Sequence, residues 1–304
     1  MLSIPEYTVI GSELILSLYP ILIKLVQTNL PTQVFSRLVT FVAGASAMAS
    51  PADWISTWGS SASIGRSLGL GALTLLHIFV SYIAFSSLSA GVAMSLFYTY
   101  PIWNLVGARV LFSEDITAKS YAYVVLGIIG TFMVSTKGVK DEIRGLAQNR
   151  YGVGLGVAAA LAAALTESAM YFAVRTNDQQ NPWSSTLEMY GGALVCMIPL
   201  VVFGLLTIKY SWSVWSKIVL FNLIVGLVGY SLRFYSIPKV NTETFGLLSF
   251  VGVFSSFLFG FLFLGERPGP MSLLGAGLIA LAASHSEEAS KAASLSQGPP
   301  SSSP

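Results

Sequence analysis

Ionisable residues lie inside several segments that are otherwise apolar, and they recur at helical spacing. In the first segment Glu13, Ser17, Pro20 and Lys24 follow one another every three or four residues, which places them on one helix face. Similar stripes consist of Gln33, Arg37, Thr40 and Gly44, of Asn222, Gly226, Tyr230 and Arg233, and of Glu167 with Tyr171. A charge at the centre of a bilayer costs about 2.5–3.5 kcal/mol on insertion scales, so such residues usually face a cavity or one another. The stripes therefore predict a shared polar interior.

Two kinds of chemistry are open to this interior. A carboxylate at Glu13 or Glu167 would bind a coupling proton or the substrate. Alternatively, it would pair with Lys24, Arg37 or Arg233. A guanidinium binds a carboxylate or a phosphate through two hydrogen bonds and stays charged when partly buried, so Arg233 is the preferred anion ligand. An internal ion pair is the alternative for Arg233. Lys24 and Arg37 lie near predicted helix ends, and extension to the lipid headgroups is the alternative for them.

The stretch FYTYPIWN, residues 97–104, combines aromatic side chains with a helix breaker. Pro101 has no backbone N–H and leaves a carbonyl without its partner, so the helix is expected to break or kink there. A broken helix that lines a cavity is a usual place for a binding site, and aromatic packing is the alternative. The candidate substrate-binding residues are Glu13, Arg37, Tyr98, Trp103, Asn104, Glu167, Tyr171, Tyr230 and Arg233.

The composition indicates that the elements carrying these residues are surrounded by lipid. Of the 304 residues, 54% are hydrophobic and 10% are charged, whereas about a quarter of a soluble domain is charged. The net charge of +2 is small and its carriers are scattered, so no nucleic-acid partner is expected. Cys196 is the one cysteine, so no disulfide can form within the chain. The first apolar segment lacks the basic start and cleavage site of a signal peptide, so we expect it to remain in the mature protein.

Ten segments have the length that crossing a bilayer requires, about 20 mostly apolar residues. They are residues 7–27, 31–49, 67–86, 89–112, 119–136, 152–174, 183–206, 215–236, 240–264 and 270–284. The segments are too long and too uniformly apolar for the alternating strands of a membrane barrel, so we predict an all-α integral membrane protein. Pro31, Pro182 and Pro270 are expected in first helical turns, where the missing N–H costs nothing.

The two halves of the chain resemble each other. Glu114 corresponds to Glu266 at an offset of 152 residues, and Pro31 corresponds to Pro182 at an offset of 151. Each half holds five predicted crossings, so the second half must enter the membrane from the opposite side, as in many secondary transporters. The predicted organisation is a first repeat at 1–136, a charged linker at 137–151, a second repeat at 152–284 and a disordered tail at 285–304. Glu114 and Glu266 are interpreted as structural markers of helix ends.

In these residues the sequence resembles the EamA-type ten-helix members of the drug/metabolite transporter superfamily. Pro101 lies 13 residues before Glu114 and Gly130 lies 16 after it, while Gly275 lies nine residues after Glu266, as in that family's repeat. Departures from the family pattern are Ser113 and Asp115 around Glu114, Tyr123, Val253 and Ala282. The resemblance implies a transporter of small metabolites and leaves open amino acids, amines, sugar phosphates and nucleotide-sugars.

An enzyme is not expected. The four Asp residues all lie outside the centres of the predicted spans, and neither an H-E-x-x-H motif nor a G-x-S-x-G elbow occurs. A P-loop for ATP is also absent, so we expect no cofactor, no metal and no catalytic residue.

The sequence therefore predicts a secondary transporter that works by alternating access, as an exporter or an exchanger. An antiporter of anionic metabolites such as sugar phosphates or nucleotide-sugars is the first alternative, and a non-transporting membrane scaffold or receptor is the second. The expected partners are the lipid bilayer, a small-molecule substrate, and a proton or a counter-substrate. A homodimer and a monomer both stay open.

Overall fold

A computed structural model describes residues 2–19, 23, 26, 28–88, 90–134, 150–177, 181–264 and 269–285. Over these residues the chain forms helices joined by short turns, with no strand. Pro20, Lys24, Glu266, most of the predicted linker and residues 286–304 of the predicted tail lie outside the described residues. The all-helical prediction is confirmed for the part of the chain that is described.

The first half of the chain forms helices α1 to α7. Their bounds are α1 Ile4–Leu16, α2 Leu30–Met48, α3 Pro51–Trp58, α4 Ser61–Ser87, α5 Ala90–Phe97, α6 Tyr100–Leu111 and α7 Ala118–Val134. Polar side chains cap several of these helices: Asn29 accepts from the backbone N–H of Thr32, and Ser50 forms a capping box with Asp53. The short α3 helix is an element that the sequence analysis did not predict.

The second half forms helices α8 to α14. They are α8 Arg150–Arg175, α9 Pro182–Thr186, α10 Gly192–Val202, α11 Trp212–Phe221, α12 Val228–Ser236, α13 Thr242–Leu264 and α14 Pro270–Ser284. A π-helical turn at Leu187–Gly191 joins α9 to α10, and another at Asn222–Leu227 joins α11 to α12. A short 3-10 turn, Ile237–Lys239, follows α12. Each predicted apolar segment thus contains at least part of a helix, and Pro31, Pro182 and Pro270 lie in first turns as predicted.

The chain is a multi-pass membrane protein by the length and hydropathy of its helices. Four described stretches are long and apolar enough to cross a bilayer, namely Ser61–Ser87, Gly152–Arg175, Pro182–Val202 and Trp212–Lys239. The helices Ala118–Val134 and Pro270–Ser284 are apolar but shorter. Large apolar side chains such as Val110 and Leu262 lie exposed on the outside of the bundle, where lipid would cover them.

The predicted break beside Pro101 is present. The helix that begins at Ala90 ends at Phe97, and α6 begins at Tyr100 after a two-residue turn. The two π-helical turns were not predicted, because a π turn needs no Pro or Gly. Each inserts one extra residue into a helical turn, which changes the direction of the side chains that follow.

Glycines let several helices approach closely. A Cβ atom added to Gly192 on α10 would lie 1.9 Å from the carbonyl oxygen of Ser67, so α4 and α10 touch backbone to backbone. The two family-pattern glycines Gly130 and Gly275 meet in the same way, since a Cβ on Gly275 would lie 2.5 Å from the carbonyl oxygen of Gly130. Helix pairs in lipid associate by such close packing of small residues. The α4/α10 and α7/α14 contacts both join a helix of the first half to one of the second.

Polar contacts join the two halves at both ends of the helix bundle. At one end, which we call the Arg175 end, Arg175 forms an ion pair with Glu114 and donates to the carbonyl of Val240 at 3.0 Å. At the other end, which we call the Asn29 end, Asn29 donates to the carbonyl of Thr207 at 2.7 Å. The two halves of the chain are therefore held together at both ends of the bundle.

Candidate functional site

A cavity lies inside the bundle, with about 530 Å³ of empty volume. Helices α1, α2, α4, α5, α8 and α12 contribute to its wall, so both halves of the chain line it. Its charged and titratable lining consists of Glu13, Arg37, His77, Glu167 and Arg233, and its tyrosines are Tyr19, Tyr82, Tyr98 and Tyr230. The lining combines aromatic and apolar side chains with a few charged ones, which is the usual make-up of a small-molecule site.

Two carboxylates bind one guanidinium in this cavity. Arg233 on α12 forms an ion pair with Glu13 on α1, and its second nitrogen lies 2.7 Å from Oε1 of Glu167 on α8. All three side chains are at most 5% exposed. A buried charge is tolerated when partners of opposite sign surround it, so each carboxylate and the arginine hold one another in place. Arg233 thus serves as the internal partner of two carboxylates, which was the alternative reading of this residue.

Neutral side chains complete the surroundings of both carboxylates. Tyr98 donates its hydroxyl hydrogen to Oε2 of Glu13 at 2.8 Å. Oε2 of Glu167 lies 3.2 Å from Nε2 of His77, but it accepts no hydrogen bond of normal geometry among the described residues. The other ring nitrogen of His77 lies 3.0 Å from the hydroxyl of Thr166. One carboxylate is therefore fully bonded, while the other keeps a free acceptor.

Arg37 occupies a different part of the cavity wall. Its guanidinium carbon lies 4.7–5.9 Å from the centres of five aromatic rings, those of Tyr19, Phe41, Tyr82, Tyr190 and Tyr230. One nitrogen donates to the hydroxyl of Tyr190 at 2.9 Å. We call this group the Arg37 cage. Aromatic faces attract a cation, most strongly where water is excluded, and they explain how α2 can carry a buried charge.

No carboxylate pairs with Arg37 within the described part of the chain, although its side chain is buried. Its Nε atom has no hydrogen-bond partner there. A guanidinium stays protonated even when buried, so the charge remains. The Arg37 guanidinium is therefore a buried cation in the cavity wall. None of the described side chains supplies an anion to pair with it.

The π-helical turns help to build the cage. Tyr190 lies in the first of these turns and faces Arg37. Asn222 begins the second turn and accepts a hydrogen bond from Tyr19 at 2.8 Å. The extra residue in each turn thus brings a side chain onto the cage that a continuous α-helix would direct elsewhere.

Six of the predicted site residues line the cavity, namely Glu13, Arg37, Tyr98, Glu167, Tyr230 and Arg233. Three do not. Trp103 is 43% exposed on the outside of the bundle, and Asn104 is fully buried away from the cavity. Tyr171 lies at the Arg175 end, where its hydroxyl accepts from Arg175 and donates to Thr242. The break beside Pro101 accounts for Trp103 and Asn104. Both residues follow it on α6, so they no longer lie on the same helix face as Tyr98.

The sequence analysis missed several cavity residues: Tyr19, His77 and Tyr82, together with Tyr190 of the cage. Polar residues at helical spacing inside apolar segments were the signal that identified Glu13 and Glu167. Aromatic residues carried no such signal, because they are also frequent in ordinary helix packing.

The structure places the remaining predicted features outside the cavity. Glu114 pairs with Arg175 at a helix end, as its interpretation as a structural marker predicts. His285, which the sequence analysis assigned to the tail, is buried and stacks on Tyr123 with ring centres 4.1 Å apart. No group of three or more metal-binding side chains occurs among the described residues.

A helical bundle with a buried charged cavity is the architecture of a membrane transporter, and the comparisons with known proteins agree. The model of the EamA-like transporter family matches residues 4–136 and again residues 154–285, and the chain belongs to this family. The resemblance seen in the sequence is thereby confirmed, and the family is one of transporters and not of enzymes.

A curated relative and a solved structure are also similar. The relative is the uncharacterized transporter sll1319 of Synechocystis sp., which is 28% identical over 135 residues. The match covers 44% of this chain and only 39% of the relative. A protein of known crystal structure shares the fold with a TM-score of 0.69 at 16% identity, over 94% of this chain and 98% of that one. At this identity the likeness shows the fold alone.

Proposed function

We propose that this protein is a secondary transporter that moves a small metabolite across its membrane by alternating access. The observation that carries the proposal is the group formed by Glu13, Arg233 and Glu167, because it joins the two halves of the chain inside the cavity. A change in the relative position of the halves must alter this group. Secondary transporters hold their substrates in such a place, between two halves that move against each other.

The proposal includes ten crossings arranged as two inverted repeats, residues 1–136 and 152–284. Glu114 pairs with Arg175, which also donates to the carbonyl of Val240, just before the start of α13. That helix then runs for 23 residues to Leu264, a length of about 34 Å, close to the thickness of the hydrocarbon core. These contacts support placing Glu114 and Leu264 at opposite membrane faces.

The described state supports a cavity that is closed at the Arg175 end. There Asp53 accepts hydrogen bonds from Asn181 at 2.7 Å and from Ser184 at 3.0 Å, in addition to the Glu114 pair. Towards the Asn29 end a second, smaller space of about 270 Å³ shares Tyr19 and Tyr82 with the cavity wall. We therefore propose that substrate exchanges through the Asn29 end in this state.

The substrate presents an anionic group to Arg37. Arg233 is already bound to two carboxylates, whereas Arg37 has none among the described residues. This choice moves the anion-binding role from Arg233, the residue preferred from the sequence, to Arg37. Sugar phosphates and nucleotide-sugars carry such a group, and so do amino acids; a proton or a counter-substrate is the coupled species. Exporter and exchanger are both compatible with it.

Release from proteoliposomes tests the proposal. Vesicles containing the full-length protein are loaded with a defined mixture of amino acids, amines, sugar phosphates and nucleotide-sugars, and the released molecules are measured by mass spectrometry. We expect the release of one chemical class, with loss of that release in Arg37→Gln. Arg109→Gln is the matched control, since Arg109 is exposed outside the cavity. Release equal to that of protein-free vesicles would reject transport and favour a scaffold or receptor.

A further inference from the structure

The cavity carries opposite net charges in two places. The Arg37 cage holds one positive charge with no acidic partner among the described residues. The group of Glu13, Glu167 and Arg233 holds two carboxylates and one guanidinium, which leaves one negative charge when both carboxylates are ionised. We call this second place the carboxylate pole.

The two places are distinct. Arg233 has its own aromatic neighbours, Tyr100 and Phe245, at 5.2 and 5.3 Å from its guanidinium carbon. Neither ring belongs to the Arg37 cage. Both arginines nevertheless line the same cavity. The two places therefore face the same enclosed space.

Both places also keep unfilled hydrogen-bonding positions among the described residues. Nε of Arg37 is a donor without an acceptor, and Oε2 of Glu167 accepts no hydrogen bond of normal geometry. Nη2 of Arg233 lies 2.7 Å from Oε1 of Glu167 but donates no hydrogen bond of normal geometry. A buried polar atom without a partner costs free energy, and this cost is larger for charged groups. The missing partner at Arg37 is an anionic oxygen. The missing partner at Glu167 is a donor, best supplied by a cation.

We propose that the substrate is a small zwitterion, with its anionic group at Arg37 and a protonated amine at Oε2 of Glu167. This inference rests on the proposed function and names the substrate class of the same cavity. A purely anionic molecule would leave the carboxylate pole uncompensated, and a simple amine would leave Arg37 uncompensated. The zwitterion satisfies both and adds no net charge to a site of low dielectric, where an unpaired charge is most costly.

Two matched series of probes test the charge requirement with the full-length protein in lipid nanodiscs at neutral pH. The first series is 4-aminobutanoate, butanoate and butylamine, and the second is phenylalanine, 3-phenylpropanoate and 2-phenylethylamine. One charged group is removed at a time in each series, and the first series also keeps the same four-carbon skeleton throughout. Binding is measured as the concentration-dependent rise in thermal unfolding temperature, since a ligand that binds the folded state stabilises it.

In at least one series the zwitterion is expected to bind about tenfold tighter than either matched molecule, the factor that a modest charge contact supplies. In Arg37→Gln the zwitterion should bind no better than the matched amine, and in Glu167→Gln no better than the matched anion. Arg109→Gln and Asp115→Asn replace exposed charges outside the cavity and should leave the order unchanged.

The wild-type comparison decides the matter without depending on how well any variant folds. If no zwitterion stabilises the protein, or if an anion or an amine binds as tightly as its zwitterion, the inference is overturned. Equal binding of the anion would mean that Glu13 or Glu167 is protonated, so that no substrate amine is needed there. If the proteoliposomes release anions and show no preference for zwitterions, the proposed transport function is supported and the proposed zwitterionic substrate is rejected. The absence of any release would reject transport itself.

Discussion

Glu13 and Glu167, 154 residues apart in the chain, bind the two terminal nitrogens of the same guanidinium, that of Arg233. One carboxylate comes from the first helix of each half. The arginine comes from the second half alone, so the shared group is not itself symmetric. The cavity therefore has a negative place, the carboxylate pole, and a positive place, the Arg37 cage. Arg37 on α2 has no acidic partner among the described residues.

Removing Arg233 should destabilise the protein and abolish transport. Arg233→Gln leaves two buried carboxylates facing each other without a cation, and breaking a buried pair costs about 3–5 kcal/mol. We expect a clear fall in the thermal unfolding temperature. The double variant Arg233→Gln with Glu13→Gln should recover part of that loss, because one of the unpaired charges is gone. Equal unfolding temperatures for the single and double variants would contradict the pairing.

Gly252 makes room for the contact between Tyr98 and Glu13. A Cβ atom at position 252 would lie 2.0 Å from the Tyr98 hydroxyl and 2.8 Å from Oε2 of Glu13. Gly252→Ala should therefore displace the tyrosine and reduce transport at least as strongly as Tyr98→Phe. Gly277→Ala is the control, since no atom lies within 4 Å of its added Cβ. Transport by Gly252→Ala at the level of Gly277→Ala would show that this contact is not needed.

Gly192 allows α10 to touch α4 and should be sensitive to the smallest substitution. In Gly192→Ala the new methyl group would overlap the carbonyl of Ser67, a backbone atom that cannot turn aside. Overpacking of this kind typically costs about 1–3 kcal/mol. Gly154→Ala serves as the matched control, because a Cβ at that position meets open space. Thermal unfolding in detergent should show a loss for Gly192→Ala alone, and equal values for both variants would contradict the close packing.

The sequence allowed the helical class, the prolines of three first turns and the break beside Pro101 to be predicted, since these follow from apolar length and local stereochemistry. Polar spacing also identified Glu13, Arg37 and Arg233 as residues of one interior. The spacing could not show that Arg233, and not Arg37, would pair with Glu13. That pairing depends on how α1 and α12 are rotated against each other. The same limit applies to Trp103, whose outward direction is set by a turn at Tyr98 and Thr99.

Asp53 at the Arg175 end gives a stability that depends on pH. Partial burial raises the pKa of its carboxyl, but hydrogen bonds from the Ser50 backbone and hydroxyl, from Ser184 and from Asn181 outweigh it, so the pKa is lowered. A carboxyl whose pKa is lowered by folding stabilises the folded state above its unfolded value, about 3.9. That contribution is lost as pH falls through the lower, folded value.

The test of this pH effect compares wild type with Asp53→Asn. The difference in unfolding temperature between the two proteins should be constant near neutral pH and should shrink below about pH 4, where the wild-type carboxyl becomes protonated. A difference that stays constant down to pH 3 would show that the ionised form makes no contribution.

The ion pair between Glu114 and Arg175 should act as a closing contact for the Arg175 end. Arg175 is bound at once to Glu114 of the first half and to Tyr171 and Val240 of the second, so separating the halves at this end must break it. Glu114→Gln should therefore raise the fraction of molecules that are open there. The charge-exchanged double variant, Glu114→Arg with Arg175→Glu, should restore closure in part, since the two charges still attract.

A buried cysteine reports this opening. Ser168 on α8 is 4% exposed and lies two helical turns from Arg175, so Ser168→Cys places a thiol inside the closed end. Cys196 is replaced by Ser in every variant, because its partly exposed thiol would otherwise react as well. With a water-soluble, membrane-impermeant thiol reagent, labelling should be slow in this background, several-fold faster with Glu114→Gln, and slow again in the charge-exchanged variant. Equal labelling rates in all three would mean that the ion pair between Glu114 and Arg175 fixes a helix end without controlling access. If this pair closes the cavity, breaking it must expose the cysteine at position 168 to the reagent.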